Sequence, residues 1–122
     1  MRVFKNTWFA RFAAKEGIVD SELKAIVNDV LEAGQAEASL GGGVYKARLA
    51  RPGEGKSGGY RVIVLFRSGE RTFYVYGFAK SARANISEKD LKRFKEMAKE
   101  NIGMTDEQLK NRIKAGHWNE IN

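Results

Sequence analysis

Three β-forming runs, Val44–Leu49, Tyr60–Phe66 and Thr72–Ala79, lie within forty residues, joined by a glycine-rich loop and by a tight Ser68-Gly69 turn. Hairpin connections of this kind join antiparallel neighbours. The first run alternates, placing Val44, Lys46 and Arg48 on one face and Tyr45, Ala47 and Leu49 on the other. The second is apolar on both faces apart from Arg61, which predicts a central strand. In the third, Tyr74, Tyr76, Phe78 and Lys80 share one parity if the strand stays regular, and Gly77 is the place for a bend.

Helical patterns flank this sheet. Arg2-Val3-Phe4-Lys5 reads as a short edge strand. A first helix then starts near Thr7, with Trp8, Phe9, Phe12 and Ala13 as core residues, and breaks at Gly17. Asp20 or Ser21 caps a second helix, in which Leu23, Ile26, Val27, Val30 and Leu31 form an apolar stripe that ends at Gly34. Gly41-Gly42-Gly43 leads into the sheet. After it, Ser87 with Asp90 opens a helix with Leu91, Phe94, Ala98 and Ile102 inward, ending at Gly103. Thr105 with Gln108 opens a last helix with only Leu109 and Ile113 as its stripe, so weak docking or the need for a partner is expected there. Trp118 and Ile121 are an anchor or a partner contact. The expected architecture is α+β: two N-terminal helices packed on a small, mainly antiparallel sheet, with C-terminal helices. It forms a single domain over 1–122, with 1–103 as its core and 104–122 as a C-terminal helix and tail.

Charge is distributed unevenly. From Val44 to Arg83 there are nine cations: Lys46, Arg48, Arg51, Lys56, Arg61, Arg67, Arg71, Lys80 and Arg83. Only Glu54 and Glu70 oppose them, so the segment carries +7, the net charge of the whole protein. An excess confined to one sheet segment points to an anion site for a polyphosphate, RNA or DNA first of all. A basic surface without a ligand is the bland alternative.

Several chemistries fit poorly. Gly55-Lys56-Ser57 has the ending of a nucleotide hydrolase phosphate loop, but Ala50 stands where that pattern needs glycine. A β-rich run also follows, where the pattern needs a helix. The loop from Arg51 to Gly59 reads instead as a long hairpin connection, in which Arg51 and Lys56 either clamp a nucleic-acid backbone or simply face solvent. The single histidine, His117, is in the tail, and no carboxylates cluster at ligand spacing, so neither a metal nor a cofactor is expected. There is no cysteine, as suits a reducing cytoplasm. The N-terminus lacks the apolar stretch of a signal peptide, and no run approaches the ~20 apolar residues of a membrane span.

Tyr45-Lys46-Ala47-Arg48-Leu49, followed by Gly59-Tyr60-Arg61-Val62-Ile63, resembles the RelE/HigB superfamily of bacterial toxins. Gly53-Glu54-Gly55-Lys56-Ser57-Gly58-Gly59-Tyr60-Arg61 is similar to the hairpin of its HigB-like members, and Tyr76-Gly77-Phe78-Ala79-Lys80 before a helix also fits. The resemblance implies a RelE-like fold and a toxin of a type II toxin–antitoxin pair, with a protein antitoxin, the ribosome and mRNA as partners. It implies cleavage of mRNA in the ribosomal A site without a metal. Some members instead poison DNA gyrase. The family's lysine pair falls on Lys46 and Arg48, and its strand arginine on Arg61. The arginine after the last strand falls on Ser81, leaving Lys80 and Arg83 as substitutes. The family's tyrosine has no counterpart in Asn85-Ile86-Ser87, so the general acid is unassigned.

Such a reaction, attack of a 2′-OH on the adjacent phosphate, needs a base, stabilisation of the phosphorane and an acid for the 5′-oxygen. Lys46 is the candidate base, yet a free lysine titrates near ~10.4. Arg48, two residues along the strand and about 7 Å away, supplies about 2.4 kcal/mol of repulsion at an effective dielectric of ~20. That is too little alone, so Arg61 or Lys80 must converge as well. Arg48 and Arg61 hold the phosphate. Arg51, Lys56 and Arg83 bind the RNA backbone, while Tyr76 or Phe78 stacks a base or simply packs the strand. Two rivals remain: a non-catalytic RNA or ribosome binder that blocks translation, and a gyrase-directed toxin.

Overall fold

The computed structural model describes residues 1–51, 59–82 and 85–122. Its spine is the strand Gly59–Leu65, every residue of which is buried. This strand, β4, lies at the centre of a six-stranded sheet built with β1 (Val3–Asn6), β2 (Ala38–Gly41), β3 (Val44–Arg51), β5 (Thr72–Ala79) and β6 (Trp118–Ile121). The order is β2-β3-β4-β5-β1-β6. All pairings are antiparallel except β1 with β5. The α+β class and the mainly antiparallel sheet match the sequence reading, whereas β2 and β6 were not anticipated.

Each face of the sheet carries its own apolar cluster. One joins Phe9 and Ala13 of α1 (Thr7–Glu16) and Leu23 and Ile26 of α2 (Asp20–Ile26) to Ala47, Val62 and Tyr74. The other joins Phe94, Ala98 and Ile102, in and just beyond α3 (Glu88–Asn101), and Leu109 of α4 (Asp106–Lys114), to Val44, Ile63 and Phe73. A strand clamped from both sides has no reason to alternate in polarity, which explains the unbroken apolar run of β4.

Local chemistry fixes the helix ends. The Asn6 side chain accepts from the Phe9 amide at 2.8 Å, and Gly17 closes α1 in the left-handed region at φ 73°. Ser87 accepts from the Asp90 amide at 3.1 Å. Thr105 and Gln108 form the expected reciprocal box, at 3.1 and 2.9 Å. The second helix is less regular than expected, because α2 continues as a π turn over Val27–Leu31 that keeps Val27 and Leu31 buried.

Three expectations are corrected. Strand β5 is not regular: its register with β4 shifts between Ile63 and Val64, so Val75 is an extra residue. Tyr74 therefore joins the α1 side, whereas Tyr76 packs with the α3 side. Trp8 is not core. Only Phe9 and Ala13 of α1 are buried, and Trp8, one residue round the helix, is 44% exposed. The last helix does not dock weakly. Leu109 is buried, and β6 pairs with β1. Trp118 lies 4.6 Å from the Phe73 ring and donates to Asn101 Oδ1 at 3.1 Å. A thin helical stripe suffices when the following strand joins the sheet. No helix among the described residues is long and apolar enough to cross a membrane.

Candidate nucleic-acid interface

In the ladder, Lys46 stands opposite Ile63, and Arg48 opposite Arg61. Directly paired residues project to the same face, so the three cations share the α3 side of the sheet, at the end away from the Ser68-Gly69 turn. Their tips meet at one carboxylate. Glu37 Oε1 accepts from Arg48 Nε at 2.8 Å, and both Glu37 oxygens accept from Arg61 Nε at 3.0 Å. Lys46 Nζ lies 3.5 Å from Glu37 Oε2. The Arg61 side chain is only 3% exposed and also donates to the Tyr60 carbonyl at 3.3 Å, while that of Arg48 is half exposed.

Burial pushes the Glu37 carboxyl up. The hydrogen bond from Arg48 and the fields of Arg61, Lys46 and Arg48 outweigh it, and the group ends below the usual carboxylate range. Three cations against one anion leave the cluster at net +2. It is thus an anion site with one resident anion, in which the guanidinium groups are already oriented.

Sequence reasoning missed Glu37. It precedes β2, a strand that was not predicted, and it lay among residues whose charges cancel. The alternation Ala36-Glu37-Ala38-Ser39-Leu40 was the available signal.

The other expected residues are dispersed. Lys80 is exposed and, among the described residues, does not join the ion pairs to Glu37; its backbone amide donates to Gly59 O at 2.9 Å across the hairpin. Tyr76 is half-buried, with its ring centroid 5.7 Å from Phe94 and 6.2 Å from Phe78. Phe78 is only 5% exposed, so it supports Tyr76 and offers no face to a base. Arg51 ends β3, but its side chain, like Lys56 and Arg83, lies outside the described residues. Two cations of the basic segment belong elsewhere. Arg71 donates to Met104 O at 2.6 Å and to Asp106, tying down the start of α4, and Arg67 is exposed beside the β4–β5 turn. The +7 segment is therefore divided between the two ends of the sheet. Among the described residues no group of three or more His, Cys, Asp or Glu side chains could hold a metal ion.

The family model for the RelE toxin of the RelE/RelB toxin–antitoxin system matches residues 1–121. The chain belongs to the RelE toxin family. It is accordingly a toxin of a toxin–antitoxin system, and an antitoxin is its implied partner. No curated protein matches the sequence.

Proposed function

We propose that this RelE-family toxin is a ribosome-dependent, metal-independent mRNA endonuclease acting in the cytoplasm of a bacterium, with the Lys46–Arg48–Arg61 cluster as its phosphate site. The observation that carries this reading is the convergence of three cationic side chains from two strands on one point within 3.5 Å of Glu37. A scissile phosphodiester entering there replaces or shares the bonds that Glu37 now accepts. Arg48 and Arg61 stabilise the phosphorane as negative charge builds, by preorganised donors in a partly dry site. The attacking 2′-OH gives up its proton to a base, a 2′,3′-cyclic phosphate forms, and the 5′-oxygen leaves with a proton.

Two groups compete for the role of base. Lys46 is one. Glu37 is the other: it is ionised at neutral pH and already accepts hydrogen bonds at the centre of the cluster. If Lys46→Arg retains cleavage and Glu37→Gln loses it, Glu37 is the base; the opposite pattern returns the role to Lys46. Lys80, Arg51, Lys56 and Arg83 steer the RNA backbone in this reading, which for the last three rests on the HigB-like sequence alone. The antitoxin blocks this basic end.

Mapping mRNA 5′ ends in a translating extract tests the reading. The wild type produces new ends at ribosome-occupied codons, and Arg61→Ala, folded by its melting curve, produces none. Arrested translation without new ends would instead mean a non-catalytic ribosome binder. Arrest unaffected by changes at Lys46, Arg48 and Arg61 would fit a gyrase-directed toxin.

A further inference from the structure

The two tryptophans have opposite environments: Trp118 is 4% exposed, and Trp8 is 44% exposed. Trp8 is nevertheless held in place. Its ring centroid lies 4.4 Å from that of Tyr76 and 5.4 Å from that of Phe12. It stands where β5 loses its neighbour, since β1 pairs only with residues 72–74 and the chain then turns into α1. Phe12 closes over that edge so tightly that a Cβ on Gly77 would lie 2.5 Å from its ring. A groove of about 550 Å³ opens beside Trp8, and the exposed Arg11 and Lys15 belong to its rim. Glu16, the one carboxylate of the rim among the described residues, accepts from the Tyr60 hydroxyl at 2.8 Å.

The groove is in line with the cationic cluster. Lys46 pairs with Ile63, Ile63 pairs with Tyr76, and the Tyr76 ring lies tilted against that of Trp8, giving one row across the sheet. Strand spacing sets Lys46 and Tyr76 about 10 Å apart at their Cα positions, a gap that a short single strand bridges. An ordered, exposed indole with cations beside it is the chemistry that receives an unpaired nucleobase and its phosphates.

We propose that the Trp8 groove is a stacking subsite for an unpaired base of single-stranded RNA, with Arg11 and Lys15 against the adjoining phosphates, a short step along the strand from the phosphate held at the Glu37 cluster. This inference rests on the RNA-cleaving reading above. An acidic protein segment is the other ligand such a groove accepts; the row leading from Lys46 favours RNA.

The test uses the full chain and a labelled 2′-O-methyl oligoribonucleotide, which cannot be cut. Binding should quench the fluorescence of the wild type, because Trp8 is the exposed indole. Trp8→Ala should weaken binding about ten-fold while remaining folded by its melting curve, and Trp8→Phe should recover most of the loss. Arg11→Gln with Lys15→Gln should weaken binding and flatten its salt dependence. An abasic site moved along the oligonucleotide should remove the quench at one position. The inference is overturned if the wild type binds no oligonucleotide, if Trp8→Ala binds as tightly as the wild type, or if Trp8→Ala loses only antitoxin binding. RNA binding that depends on Arg61 but not on Trp8 would overturn the groove alone. Binding that depends on Trp8, with cleavage indifferent to Arg61, would overturn the catalytic reading and leave the groove standing.

Discussion

The α3 side of the sheet has two ends made from the same strands, and they are kept together by different means. At one end Val44, Leu65 and Phe73 lie under α3, α4 and Trp118 in an apolar cluster. At the other end Lys46, Arg48 and Arg61 take the corresponding strand positions, and one carboxylate gathers them. Apolar packing is insensitive to salt and pH, and its loss leaves a cavity. A charged cluster responds to both and accepts another anion in place of its own. One end is therefore suited to holding the fold, and the other to exchanging ligands.

The sharpest way to break this comparison is to truncate one residue at each end. Phe73→Ala removes a fully buried ring lying 5.4 Å from Phe4 and 4.6 Å from Trp118. It should cost about 3–5 kcal/mol in urea unfolding. Arg48→Ala, whose side chain is half exposed, should stay within about 0.5 kcal/mol, and similar losses at both sites would abolish the distinction. Glu37→Gln comes next. It leaves the almost fully buried Arg61 with an amide oxygen in place of its counter-charge, for about 2 kcal/mol of stability, measured by the same unfolding curves. Tyr74→Phe, on the opposite face, leaves the buried Leu23 carbonyl without the phenol that now donates to it at 2.7 Å, and should cost about 1 kcal/mol.

Acid should distinguish the ends by the smallest margin. Glu37 and Glu120 both titrate below the ordinary carboxylate value in the folded chain. Glu120 does so chiefly through its hydrogen bond with Arg2. A depressed carboxylate contributes stability that is complete above its unfolded pKa of about 4.3, and that contribution is lost as pH falls through the folded value. Melting temperatures should therefore fall below about pH 4.5, and Glu37→Gln should shallow that fall. An unchanged acid limb in the variant would mean that Glu37 is not coupled to the cations in solution.

How far the sequence announced all this varies with the physics involved. Lys46 and Arg48 could be placed on one face because strand alternation is local, whereas Arg61 joined them through the family resemblance. Tyr74 parted from Tyr76 and Phe78 because a one-residue bulge at Val75 breaks the shared parity, and nothing in the apolar run of β5 signals a bulge. Trp8 was assigned to the interior on helical spacing, but spacing does not say where the sheet beneath a helix ends. Glu37 was missed because the short alternation from Ala36 to Leu40 was not read as a strand. The tail was left open between an anchor and a partner contact because Trp118 and Ile121 acquire meaning only when β6 pairs with β1, more than a hundred residues away.

The claim that most depends on the cluster is that an RNA phosphate enters where Glu37 now accepts its bonds. The side-chain carboxylate resonance of Glu37, followed by NMR during titration with the uncleavable oligoribonucleotide, addresses it directly. The resonance should move and saturate together with the Nε signal of Arg61, and Arg48→Ala should reduce the affinity that both report. Saturated RNA binding with both signals unmoved would contradict the account and place the RNA elsewhere on the protein.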